Sequence, residues 1–117
     1  MEKKKTYISG LTDHDLEFLG LKLYQVFGRD VNDIGIAKRN ENSLIVRGQS
    51  IGGKALVKAQ FNNYGLVECL KNPKAKFDGN LEEELNFVFV DFMVERYSTK
   101  YLDEYVENNP ESVLLAN

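Results

Sequence analysis

The chain has 117 residues, of which 43% are hydrophobic and 28% charged, and its formal net charge is −3. This composition predicts one folded domain over residues 1–117, without the apolar run of a membrane span or the leader of an exported protein. A lone cysteine excludes an internal disulfide and, with a lone histidine, argues against a zinc site, so we expect a cytoplasmic protein without a cofactor.

The charges are distributed unevenly along the chain. Residues 1–77 carry 13 basic and 8 acidic side chains, whereas residues 78–117 carry 2 basic and 10 acidic ones. If the two parts cover different sides of the fold, the protein presents two electrostatic faces. At the ends, the basic residues 1–6 are expected to fray, and the apolar tail at 111–117 is expected to dock on the body or on another chain.

The first predicted element is an amphipathic helix over residues 12–27. Thr12 is suited to be its N-cap, and Asp13 and Asp15 place negative charge in the first turn, where the helix dipole favours it. Gly28 follows the last helical residue, as a C-cap glycine does. The apolar residues of the segment recur along one stripe: Leu16, Leu19, Leu23, Val26 and Phe27.

Short β-rich runs separated by Asn and Gly turns occupy the middle of the chain and predict an antiparallel meander of three or four strands. Within the third run, Val57, Ala59 and Phe61 alternate with polar residues, so one face of the sheet covers a core. The glycine-rich residues 48–54 predict a hairpin turn rather than a phosphate loop, because no Ser or Thr follows the lysine and no helix opens there. The four runs are residues 34–39, 43–47, 54–61 and 66–70.

After a loop at 71–80, the pattern predicts two helices. Asn80 and Glu83 have the spacing of a capping box before a helix over 81–97. Residues 87–94 also have high β propensity, and a strand there is the alternative, but length and capping favour the helix. A short helix is expected over 99–107. The predicted fold class is therefore α+β, with an N-terminal helix, the meander and two C-terminal helices packed on one sheet face.

The residue types that most often act in catalysis do not occur here in catalytic motifs. His14 lies near a predicted helix start and is explained as an exposed polar residue. Cys69 lies in an apolar, alternating stretch and is explained as a small core residue. No serine sits in a nucleophile elbow. We therefore expect a binding protein rather than an enzyme.

The acidic side of the 81–97 helix is the first candidate binding surface. Three adjacent glutamates exceed what the helix dipole needs, which predicts a protein partner with a basic surface. An accessory or inhibitor module, including a viral-type inhibitor that mimics a phosphate backbone, would use such a surface. The candidate residues are Glu82, Glu83, Glu84, Asp91 and Glu95.

The alternative is a nucleic-acid-binding face on the sheet, extended by the lysines of the 71–76 loop and by a stacking ring. It would use Lys38, Arg39, Arg47, Lys54, Lys58 and Tyr64. Independently, the 81–97 helix is apolar around much of its circumference, which predicts a homodimer unless the other helices cover the excess within one chain.

Overall fold

The computed structural model describes residues 6–28, 30–77 and 79–110, except for the side chains of residues 37 and 38. The α+β order predicted from the sequence is confirmed, including a helix rather than a strand at 87–94. The segments 1–5 and 111–117 lie outside the described residues, whereas the backbone N–H of Thr6 donates a hydrogen bond to Ser9 Oγ at 2.8 Å. The elements are α1 (Asp13–Phe27), β1 (Asp33–Arg39), β2 (Leu44–Gln49), β3 (Ala55–Asn62), β4 (Gly65–Lys71), α2 (Leu81–Tyr97) and α3 (Thr99–Asn108).

The four strands form one open antiparallel sheet in the order β1-β2-β3-β4. Alternation puts Val57, Ala59 and Phe61 on the buried face, which the helices cover. Phe61 stacks on Phe89 of α2 with ring centroids 4.5 Å apart. α2 packs on α1, α3 and β4, while α1 packs on β1 and β2. The molecule therefore has two layers, with the core between the sheet and the helices.

A β-bulge in β1 changes which side of the sheet its last residue occupies. Ile36 pairs with Val46, but Lys38 pairs with Ile45 and Arg39 with Leu44, so the register shifts by one residue. Arg39 consequently shares the helix-facing side with the buried Leu44. Its guanidinium donates a hydrogen bond to the carbonyl oxygen of Leu11 at 2.5 Å. Arg39 remains exposed, so its place in the alternative nucleic-acid face stays a prediction.

Gly48 lies within β2 and not in the hairpin turn that the sequence predicted. A Cβ at this position would lie 2.7 Å from Val57 Cγ1 and 3.3 Å from Phe27 Cδ2. Only glycine therefore lets the end of α1 approach the sheet this closely. The turn itself begins later, where the backbone N–H of Ser50 donates to the carbonyl oxygen of Lys54 at 2.9 Å.

Side-chain caps fix the starts of both long helices. Thr12 and Asp15 form a reciprocal capping box, with bonds of 2.9 and 3.0 Å. Arg96, near the end of α2, donates to Asp15 Oδ2 at 3.0 Å, so the start of α1 is held against the end of α2. Asn80 caps α2 by accepting from the backbone N–H of Glu83 at 3.1 Å, and its side-chain amide donates to Glu83 Oε2.

Most of the apolar residues of α2 are covered within the chain, whereas Phe87 is exposed. Phe89 and Met93 are fully buried, and Val90 and Phe92 are 1% and 4% exposed. This is the intramolecular alternative to the predicted dimer interface. A single residue, Ser98, with φ of 65°, separates α2 from α3 and turns the chain.

Candidate protein-binding surface

The solvent side of α2 combines carboxylates with an exposed ring. Because residues four and seven positions apart share a helix face, Glu84, Asp91 and Glu95 lie along one line. All three are exposed. Phe87, between the first two in sequence, is 54% exposed. A large apolar group thus stands among negative charges, a combination that the helix itself does not need.

A shallow pocket of about 460 Å³ lies beside this ring. Its apolar part consists of Phe87 and Val88 of α2 and Val26 of α1, and its acidic rim consists of Glu83 and Glu84. The pocket exists because α1 and α2 run antiparallel, which brings the end of α1 to the start of α2. An apolar floor with a charged rim is the usual anatomy of a protein-binding site.

The five predicted carboxylates are not equivalent in the structure. Lys71 Nζ lies 2.6 Å from Glu82 Oε1, and this hydrogen bond lowers the pKa of Glu82 and raises that of Lys71. Glu95 lies 3.9 Å from Lys22 Nζ, and Glu83 contacts the cap residue Asn80.

The remaining two, Glu84 and Asp91, make no ion pair or side-chain hydrogen bond with any residue in the described ranges. No ion pair within the described part of the chain therefore neutralises their charges. We define the acidic face of α2 as Glu83, Glu84, Phe87 and Asp91.

The basic alternative is only partly assembled. Arg47 of β2 and Lys58 of β3 are register partners on the open sheet face, and Lys54 is exposed just before β3. Tyr64 lies instead in the β3–β4 turn, where its hydroxyl donates to Glu104 Oε1 at 3.0 Å. The tyrosine expected to stack on a base is therefore hydrogen-bonded to α3 and does not lie among the basic residues of the sheet. The structure nevertheless places acidic α2 and basic Arg47 and Lys58 on opposite sides.

His14 and Cys69, the other residues with reactive side chains, lie on different elements. His14 is exposed in the first turn of α1. Cys69 is a free, half-buried cysteine, and burial raises the pKa of its thiol, which makes it less reactive. Among the described residues, no cluster of three or more His, Cys, Asp or Glu side chains could hold a metal ion. Within the same ranges, no helix has both the length and the apolar character to cross a bilayer.

Sequence reasoning missed a group of tyrosines at the other end of α2. Tyr101 is fully buried and donates a hydrogen bond to the carbonyl oxygen of Asn63 at 2.7 Å. Tyr97 donates to the carbonyl oxygen of Tyr7 at the same distance. The available signal was the spacing of Tyr101 and Tyr105, which are four residues apart and so share one side of α3.

The fold and these surfaces define a small α+β domain in which three helices back one face of an open meander. Comparisons of the chain with protein-family models, with curated proteins and with solved structures found no match. The functional argument therefore depends on the chemistry of the surfaces.

Proposed function

We propose that this protein is a non-enzymatic binding module that docks the acidic face of α2 on a basic, partly apolar segment of a protein partner. The observation that carries the proposal is the half-exposed Phe87 beside two carboxylates, Glu84 and Asp91, that the described chain does not neutralise. An aromatic anchor surrounded by charge supports both affinity and rapid, oriented association. Inhibition of a nucleic-acid-binding protein, whose surface is basic, is one use consistent with this chemistry.

The experiment compares two charge-reversed variants with equal net charge. Glu84→Lys with Asp91→Lys changes the acidic face, and Glu17→Lys with Glu68→Lys is the matched control, because these two exposed carboxylates lie on α1 and β4. All three forms are used to capture proteins from the native host. We then identify and purify those that bind the wild type and the control but not the acidic-face variant. Their association rates with all three forms are then measured at two salt concentrations.

We expect the acidic-face variant to associate at least about tenfold more slowly at low salt, with a smaller difference at high salt. Both variants should keep their fold, because exposed charges contribute little to stability. If the acidic-face variant associates normally, while Lys54→Glu with Lys58→Glu abolishes binding, the proposal is wrong. The open sheet face would then be the working surface, and a gel shift with single- and double-stranded DNA and RNA would test the nucleic-acid alternative.

The homodimer also stays a proposal, with a different basis. The apolar residues of α2 that suggested a dimer are mostly buried within the chain. Phe18 and Leu21 on α1, however, are 47% and 61% exposed. A two-fold contact through these residues would cover them. A monomer mass by light scattering at micromolar concentration would refute it. We place the protein in the reducing cytoplasm, where its free cysteine stays a thiol.

A further inference from the structure

The open face of the sheet carries basic and apolar side chains in a row that crosses three strands. Arg47 of β2 is the register partner of Lys58 of β3, and Lys58 is the register partner of Leu70 of β4. Because Val57 and Ala59 are buried on the helix side, alternation places this row on the opposite side of the sheet. We define the sheet row as Arg47, Lys58 and Leu70.

The two cations of the sheet row lie side by side without a counter-ion. Residues directly opposite each other on antiparallel strands have Cβ atoms about 4.5–5.5 Å apart, and like charges in such a pair repel. Neither Arg47 nor Lys58 forms an ion pair within residues 6–28, 30–77 and 79–110. On β1 the register partner of Arg47 is Gly35, which adds no side chain beside it. A negatively charged partner would therefore relieve a repulsion that folding leaves in place.

The sheet row ends in an exposed apolar side chain. Leu70 is 53% exposed, and Val67, at the bulge of the same edge strand, is 56% exposed. Glu68 pairs with Gln60 in the next row and forms no ion pair with either cation of the sheet row. The phosphates of a nucleic acid would satisfy the two cations but leave the leucine uncovered. A partner that presents carboxylates together with an apolar group fits the row better.

The acidic face of α2 has this combination of groups. Phe87 is 54% exposed and lies between Glu84 and Asp91 in sequence. Seven residues of helix separate the two carboxylates by about 10.5 Å along the axis, and two strand spacings give the sheet row a length of about 9.5 Å. The two surfaces therefore have similar lengths and opposite charges, and each includes one exposed apolar group.

We propose that the acidic face of α2 docks on the sheet row of a second copy of this chain. This inference rests on the docking role proposed above for the acidic face, and it names the partner. The two surfaces lie on opposite sides of each molecule, so the contact joins unlike surfaces and leaves one of each free. Further copies can then add in line, as in other head-to-tail assemblies. A two-fold dimer through Phe18 and Leu21 would use neither surface.

The test measures self-association of the purified protein by sedimentation velocity over a series of protein concentrations. At low salt, the mean mass of the wild type should rise continuously with concentration, and high salt should move this rise to concentrations about tenfold higher. Two charge-reversed variants then test the surfaces. The face variant is Glu84→Lys with Asp91→Lys, and the row variant is Arg47→Glu with Lys58→Glu.

Each variant alone should stay monomeric, because like charges then meet at the contact. An equimolar mixture of the two should associate again, since each variant carries the charges that complement the other. Circular dichroism checks that both remain folded, and the wild-type series needs no variant. A wild type that is monomeric at every concentration, or a mixture no heavier than its separate components, would overturn the proposal.

A control separates the specific contact from attraction between net charges. Lys74→Glu with Lys100→Glu gives the same net charge as the row variant, and these two exposed lysines belong to neither surface. This control should associate like the wild type. Added face variant should shorten its assemblies, because the face variant accepts a neighbour on its sheet row but cannot dock its own helix. Longer assemblies would show general charge attraction and overturn the proposal.

The occupant of the sheet row and the role of the acidic face can fail separately. If the wild type is monomeric while labelled DNA or RNA binds through Arg47 and Lys58, the occupant is a nucleic acid and this inference is wrong. That result leaves the proposed function standing, because the measurement with the host partner involves no second copy. Normal association of the host partner with the face variant would contradict the proposed function without changing the mass measurements.

Discussion

The two ends of α2 both bring an aromatic ring close to carboxylates, but the polar groups are used in opposite ways. At the start of the helix, Phe87 is half exposed, and Glu84 has no ion pair or side-chain hydrogen bond within the described part of the chain. At the end, hydroxyls of Tyr7 and Tyr64 occupy the Glu104 carboxylate, and the rings pack on one another. Charge at the first end is available to a partner, whereas charge at the second end also holds the fold together.

The largest expected contrast between the two ends is in stability. Tyr101 is fully buried and bonded to Asn63, so Tyr101→Ala should lower the free energy of unfolding by about 3–5 kcal/mol. Phe87→Ala, which removes a half-exposed ring, should lower it by less than about 1 kcal/mol. Urea denaturation followed by circular dichroism measures both values. Similar losses for the two variants would mean that the ends of α2 do not differ as described.

A smaller effect on stability should appear at alkaline pH, and only from the tyrosines at the end of α2. Burial and then Glu104 raise the pKa of Tyr7 and Tyr64. The folded state thus favours their protonated forms, and this stabilisation is fully present below the ordinary tyrosine pKa of about 10. It is lost as the pH rises through the higher folded pKa, because the unfolded chain then binds fewer protons.

Tyr7→Phe should therefore cost about 1 kcal/mol at neutral pH and make the alkaline decline in stability less steep. Unfolding free energies measured between about pH 8 and 11 give that slope. Tyr24→Phe, the same change on α1, is the control and should leave the slope as in the wild type. A slope that Tyr7→Phe does not alter would show that the bond to Glu104 contributes nothing to folding.

The smallest effects are expected at the acidic end. Glu95 and Lys22 are 3.9 Å apart, and the Glu95 side chain is 58% exposed, so Glu95→Gln should change stability by less than about 0.5 kcal/mol. Glu84→Gln should change it no more. Urea denaturation at low and high salt tests both variants. A loss above about 1 kcal/mol for either would show that these charges support the fold and are not reserved for a partner.

The elements that the sequence predicted well are those specified by neighbouring residues. α1 follows from its cap at Thr12 and its apolar stripe, and α2 follows from Asn80 and Glu83 despite the β propensity of 87–94. The reciprocal bond, in which Asp15 accepts from the backbone N–H of Thr12, was not foreseen, although the position of Asp15 at the third helical residue was visible. Local hydrogen-bond chemistry and periodicity are sufficient for such predictions.

The rest depends on contacts between distant segments. The bulge that turns Arg39 toward the helices is a matter of register with β2, and Gly48 is glycine because Val57 and Phe27 approach it. The cavity at the end of α2 is lined by residues 7, 64, 97 and 104, which come together only after the helices pack. The acidic carboxylates could be placed on α2 in advance. The sequence could not show which of these carboxylates are neutralised, because their partners Lys22 and Lys71 lie on other elements.

The one-residue joint at Ser98 has a consequence for amide hydrogen exchange. α3 is attached to the body through two buried side chains, Tyr101 and Tyr105, and through the hydrogen bonds of these tyrosines and of Glu104. A ten-residue helix held this way should open as a separate unit, at a lower free energy than the sheet, with the rotation taken up at the joint. Its amides should therefore exchange before those of β2 and β3.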